Sequence, residues 1–111
     1  MGIRSKFESY MGFCAKSGNL ITGYNTCLSY IPKNKIKLLI ISEDVKGNTF
    51  EKLKAKCISN NVEYRVYGKA EVLCKMIGKV DKGLIGITDT NFARVILKEI
   101  DSQEKEADQE V

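Results

Sequence analysis

Apolar positions along this chain of 111 residues change their spacing several times, and each change marks an element. Phe7, Tyr10, Met11 and Cys14 fall at i, i+3, i+4 and i+7, one face of a helix that Ser17-Gly18 ends. Leu20 to Thr22 reads as a very short extended piece. A second helix is expected from about Gly23, with Cys27, Leu28 and Ile31 apolar, stopping at Pro32. The run KLLIIS, residues 37 to 42, is continuously apolar, as in a strand covered on both faces.

Past that run the pattern returns to helical spacing. Asn48 is placed as an N-cap, with Glu51 completing a capping box and Phe50, Leu53 and Cys57 facing inward. Asn60-Asn61 closes this helix. EYRVY, residues 63 to 67, is β-branched and aromatic, hence a strand. A short helix over about 69 to 77 turns Val72, Leu73, Met76 and Ile77 inward, and GLIGIT, residues 83 to 88, is a third apolar strand. Asp89 or Thr90 caps a last helix carrying Phe92, Val95, Ile96 and Ile100. Strands buried on both faces and alternating with helices predict an α/β/α sandwich. Residues 1–98 form one domain, and residues 99–111 are the end of the last helix and an acidic polar tail that frays into solvent.

Charge sharpens this picture more than composition does. The net charge is +4, yet EIDSQEKEADQEV, residues 99–111, holds six acids against one Lys. Residues 1–98 therefore carry +9, enough to attract polyanions, RNA being the usual intracellular one. Hydrophobic residues make up 43% of the chain, which suits a folded core, and no apolar run is long enough to span a membrane. The N-terminus has no signal-peptide apolar region, so a cytoplasmic protein is expected.

Cys14, Cys27, Cys57 and Cys74 lie 13, 30 and 17 residues apart, with no His anywhere in the chain. That spacing suits reduced core cysteines rather than a zinc knuckle, and no metal or cofactor is expected. Without His the Ser-His and Cys-His nucleophile pairs are excluded. Glu43-Asp44 stands at the end of KLLIIS, where α/β proteins place catalytic acids. A receiver-type acidic site would need paired acids on a first strand and a Lys after the last, and Thr88 stands there instead. GKVDKG lacks the spacing of a phosphate-binding loop. The chain reads as non-enzymatic.

The segment SGNLITGYNTCLSY, residues 17–30, is the candidate site. Gly23 opens a helix whose first residues, Tyr24, Asn25 and Thr26, are polar, and a helix start offers free N–H groups to phosphates and base edges. The plain alternative is a helix start with no ligand.

Four segments in order, MGFCAKSGNLITGYNTCL, KLLIISEDVKGNTFEKLKAKC, VLCKMIGK and GLIGITDTNFARVI, resemble the L7Ae/L30e superfamily of ribosomal proteins that bind kink-turn RNA, and more closely its bacterial YlxQ-type members. The resemblance covers roughly residues 10–98. It implies a three-layer α/β/α sandwich with a small mixed four-stranded sheet. It also implies a monomer that recognises kinked or internal-loop RNA, rRNA or kink-turn-like, with the ribosome or translation factors as further partners.

In the family, RNA is gripped by the helix start that falls here at Gly23 and by the loop that falls here at about Tyr67 to Leu73. The resemblance thereby names Asn19, Gly23, Tyr24, Asn25, Thr26, Ser29, Lys33, Tyr67, Gly68 and Lys69 as the RNA-binding set, with Tyr67 stacking on an exposed base. Gly23 and Asn25 match the family pattern. Thr26 stands where kink-turn readers usually carry Glu or Gln, Ser29 where they carry Lys or Arg, and Asn19 where many have Lys. Lys69 stands where a small polar residue is common, and Cys74 where Gly is usual. Nearby Lys16, Lys33, Lys35 and Lys69 offer replacement cations. The alternative is a protein-interaction module of the same fold that has lost its RNA chemistry, with the acidic tail as a partner handle or a self-inhibiting segment.

Overall fold

A computed structural model gives residues 5–79 and 83–109, with side chains described through Gln103. Helix α1 (Lys6–Lys16) starts at Ser5, whose Oγ accepts the Glu8 N–H at 3.1 Å. Strand β1 (Leu20–Thr22) and helix α2 (Tyr24–Tyr30) follow. The chain does not stop at Pro32 as the sequence suggests. It tightens into a 3₁₀ turn (Ile31–Lys33) that accepts Pro in its first positions, where a missing N–H costs nothing, and ends at Asn34 with φ 59°.

Strand β2 (Leu38–Ile41), helix α3 (Gly47–Ser59), strand β3 (Tyr64–Val66), helix α4 (Ala70–Ile77), strand β4 (Leu84–Ile87) and helix α5 (Thr90–Gln109) complete the chain. Asp89 caps α5, its Oδ2 accepting the Phe92 N–H at 2.8 Å. The expected capping box at α3 does not form. Its N-cap is Lys46, with no side-chain cap, because Gly47 at φ 66° starts the helix before Asn48 is reached. In α4 the inward stripe is Leu73, Cys74 and Ile77, while Val72 is 46% exposed. An eight-residue helix holds too few apolar positions to fix its own phase.

The sheet order is β1-β4-β2-β3, with β4 antiparallel to both neighbours and β2 parallel to β3. Strand alternation splits the apolar run between two faces. Leu38, Ile40, Ile85 and Ile87 meet Phe7, Met11, Cys14, Leu73, Ile77, Ile96 and Ile100 from α1, α4 and α5. Leu39, Ile41 and Leu84 meet Cys27, Ile31, Ile36, Leu53 and Cys57 on the side of α2 and α3. This is the three-layer α/β/α sandwich with a mixed four-stranded sheet that the sequence implies.

All four cysteines are buried, and none is in a disulfide. Burial, then the Asp89 charge, pushes the Cys14 thiol up to about 12. Burial, then Cys57 nearby, takes Cys27 to about 12, and burial takes Cys57 to about 11. Thiols held this protonated are core hydrophobes, not nucleophiles. Among the described residues no acid or Cys cluster could hold a metal, and no helix is long and apolar enough to cross a membrane.

The last helix also differs from expectation. Ile100 is fully buried, as its spacing predicts, but the backbone stays helical to Gln109, past where fraying is expected. Asp101 takes a two-bond grip from Arg65, Nε to Oδ1 at 2.9 Å and Nη2 to Oδ2 at 3.1 Å. The Tyr67 hydroxyl donates to Gln103 Oε1. The remaining acidic side chains, 104–111, and residues 80–82 lie outside the described residues.

Candidate nucleic-acid interface

Strand direction decides what gathers at each end of the sheet. Strand β4 runs against both β1 and β2, and β3 runs with β2, so the C-terminal ends of β1, β2 and β3 share one edge. Each of those strands leads into a helix, so the N-termini of α2, α3 and α4 all open at that edge. Three inter-strand steps separate β1 from β3, roughly 14 Å in all. Two segments far apart in sequence, Gly23–Thr26 and Tyr67–Lys69, are thereby brought to one edge on either side of β4.

At the β1 side, Gly23 has φ 99° and ψ 151°, a conformation that L side chains avoid. Its N–H donates to the Leu84 carbonyl at 3.1 Å, which ties the start of α2 to the start of β4. No side chain caps α2. Asn25, Thr26 and Ser29 are exposed on one stripe of this helix, with Tyr24 half-buried against the core. Lys33 is exposed beyond them, its Nζ 5.6 Å from the Tyr30 ring centroid.

At the β3 side the loop is held by the chain that follows β2. The Glu43 N–H donates to the Gly68 carbonyl at 2.8 Å, and the Ala70 N–H donates to Asp44 Oδ2 at 3.0 Å. Asp44 therefore caps α4, and Glu43 lies 3.8 Å from the exposed Lys69 Nζ. These acids have structural partners here, which accounts for them without catalysis. Tyr67 is half-buried, its ring packed edge-on against Phe7 at 4.9 Å. With its hydroxyl on Gln103, that ring is engaged by the protein itself.

Besides Lys33, which lies past the far end of α2, the sequence-derived residue that the fold does not bring to this edge is Asn19. It precedes β1 at the opposite end, where its Nδ2 donates to Ser17 Oγ at 2.7 Å and its carbonyl accepts the Thr88 N–H at 2.9 Å. Sequence reading also missed a pocket of about 400 Å³ between α2 and α3, whose lining includes Gly23, Tyr24, Asn48, Thr49, Lys52 and Gly83. Asn48 and Lys52 line it on α3, which starts two residues earlier than the Asn48 cap predicts. The pocket's neighbour Gly83 is crowded: a Cβ there would sit 2.8 Å from Ser42 Oγ, which is fully buried without a hydrogen-bond partner.

Comparison with known proteins bears on the family and the fold. Residues 5–97 match the model of the ribosomal protein L7Ae/L30e/S12e/Gadd45 family. The RNA-binding protein YlxQ of Enterococcus faecium is 33% identical over 94 residues, 84% of this chain and 89% of that protein. The RNA-binding protein YlxQ of Bacillus subtilis is 26% identical over 91 residues, 82% of this chain and 91% of its own. A structure of a protein of unknown function from Bacillus halodurans superposes with TM-score 0.84 at 31% identity, covering 88% of this chain and 99% of that one. The 15.5 kD RNA-binding protein of Giardia lamblia shares the fold at TM-score 0.71 and 18% identity, over 90% and 92% of the two chains.

Proposed function

The chain belongs to the ribosomal protein L7Ae/L30e/S12e/Gadd45 family, and from that premise we propose that it is a non-enzymatic RNA-binding protein that recognises kinked or internal-loop RNA of the translation machinery. The observation that carries this reading is the meeting of Gly23–Thr26 and Tyr67–Lys69 at one sheet edge. Neither segment alone distinguishes a binding site from a turn. Beside the first of them lies a pocket that also presents Asn48, Thr49 and Lys52.

In this reading the RNA backbone lies along α2, where Gly23 permits close approach, and Asn25 and Thr26 meet base edges opened by the kink. Lys33, Lys52 and Lys69 supply salt-dependent phosphate contacts. Because Tyr67 is packed on Phe7, it shapes the loop, and the exposed Val72 is the apolar surface left for a base. The partially neutralised Lys69 and the neutral Thr26 and Ser29 make this edge less cationic than its fold-mates' pattern implies, so shape carries more of the recognition than charge.

The test is a titration against a kink-turn RNA and a straight duplex of equal length, at two salt concentrations. A preference for the kinked RNA that survives the higher salt is expected. Asn25→Ala should weaken that preference by about 5- to 150-fold, the cost of one good base contact. Equal, salt-labile binding to both RNAs would overturn the reading and leave only the basic body attracting phosphate.

A further inference from the structure

The seam between α1 and α4 holds a feature that the sheet edge does not use. Two grooves lie end to end along it and share Met76. The first, about 360 Å³, begins at Gly68, Lys69 and Val72, beside the edge described above. The second, about 400 Å³, continues past Phe13 to Lys16, Lys75 and Lys79. Helix α4 has 8 residues, so the seam runs about 12 Å at 1.5 Å per residue.

Phe13 is 59% exposed on this seam, a phenyl ring left in water on a helix whose neighbours Phe7, Met11 and Cys14 are buried. Single exposed apolar residues are common. This one stands among three lysines, and among the described residues no carboxylate lines its groove. Among the described residues none of Lys16, Lys75 and Lys79 forms an ion pair. Lys16 and Lys75 sit in the last turns of α1 and α4, where a cation complements the helix dipole. Dipole complementarity accounts for the charges but not for the ring between them.

We infer that the α1–α4 seam is a second RNA-binding surface, which holds a single-stranded stretch leaving the kinked element at Lys69. One base stacks on Phe13, and the flanking phosphates meet Lys16, Lys75 and Lys79. An aromatic platform edged by cations is the arrangement that binds single strands without reading sequence. The continuity of the seam with Lys69 favours RNA over an acidic peptide, because one polyanion then follows one path. The inference rests on the RNA-binding reading above.

The experiment uses the whole chain with three probes: the blunt kink-turn RNA, the same RNA with a single-stranded adenosine extension, and a free oligoadenylate. The extension should raise affinity, and free oligoadenylate should bind measurably at low salt. Phe13→Ala should remove the gain and weaken oligoadenylate binding by about 5- to 150-fold, leaving the blunt RNA unchanged. Each of Lys16→Ala, Lys75→Ala and Lys79→Ala should lower the salt slope for oligoadenylate by about 0.7. Phe13→Leu separates stacking from greasy contact: a base loses its platform, whereas a peptide keeps an apolar anchor. No effect of the extension, equal loss for blunt and extended RNA in Phe13→Ala, or retention of full affinity by Phe13→Leu would overturn the inference. Phe13-dependent oligoadenylate binding without preference for the kinked RNA would uphold the seam and sink the kink-turn reading instead.

Discussion

The two helical layers flanking the sheet are built to different standards. On one side α1, α4 and α5 close over Leu38, Ile40, Ile85 and Ile87, with Phe7 locked against Tyr67 and Arg65 against Asp101. On the other side α2 is a helix of 7 residues, and a pocket of about 400 Å³ separates its start from α3. The first layer is fastened across long sequence distances, and the second leaves polar groups facing a void. Stability is concentrated where such long-range fastening is found, which frees the α2–α3 side to keep an open edge.

Truncation should give the largest contrast. A chain ending at Lys98 loses the buried Ile100 and the Asp101 and Gln103 partners of Arg65 and Tyr67, and is expected to lose its cooperative unfolding transition. A chain ending at Gln103 keeps them and should unfold like the full chain in urea. The shorter of these removes more than an acidic tail, so only the longer one tests whether residues 104–111 affect RNA affinity. Their four acids against one Lys should depress it, giving a few-fold tighter binding at low salt when they are removed.

Next in size come Ile40→Ala and Ile41→Ala, adjacent and both fully buried, one facing each layer. Each should cost about 2–5 kcal/mol by denaturant unfolding, with Ile40 the dearer because its surroundings relax less. Equal costs would remove the distinction between the layers.

Acid should reveal the Arg65–Asp101 fastening. The hydrogen bonds from Arg65 hold the Asp101 carboxyl below its ordinary 3.8, against an opposing push from burial. A depressed acid stabilises the fold above its unfolded pKa, and that contribution fades as pH falls through the lower folded value. Asp101→Asn should therefore lower the melting temperature slightly at neutral pH and have no effect in strong acid. With its side chain 45% exposed, the effect is screened and small.

The smallest expected effect is at Ser42. Ser42→Ala removes a buried hydroxyl that has no partner, so stability should hold or rise by up to about 1 kcal/mol. Gly83→Ala alone should destabilise through the 2.8 Å approach, and the double variant should recover part of that loss.

Much of the fold was legible because KLLIIS and GLIGIT can only be strands covered on both faces, and the Phe7-Tyr10-Met11-Cys14 spacing can only be a helix stripe. The misreadings share a cause. Val72 looked inward-facing because two turns of helix give no reliable phase. Asn48 looked like a cap because composition cannot show that Gly47 bends first. The tail looked free because Arg65–Asp101 and Tyr67–Gln103 each join residues 36 apart, and no local pattern records such a pairing. For the candidate edge, sequence located Gly23 and the Tyr67 loop but placed Asn19 with them, and it missed Lys52 and Gly83, which only the strand order brings near.

The same strand order constrains how the protein can be born. Strand β4 is translated last of the four yet lies in the interior of the sheet, and Leu20 in β1 waits for Ile87. At roughly 5–20 residues per second, that wait is about 3–13 seconds of synthesis. A nascent chain thus cannot close its four-stranded sheet until its final third emerges, and the Gln103 partner of Tyr67 arrives later still. The grip is assembled last, so a protein stalled partway through synthesis could not hold the edge that its finished form presents.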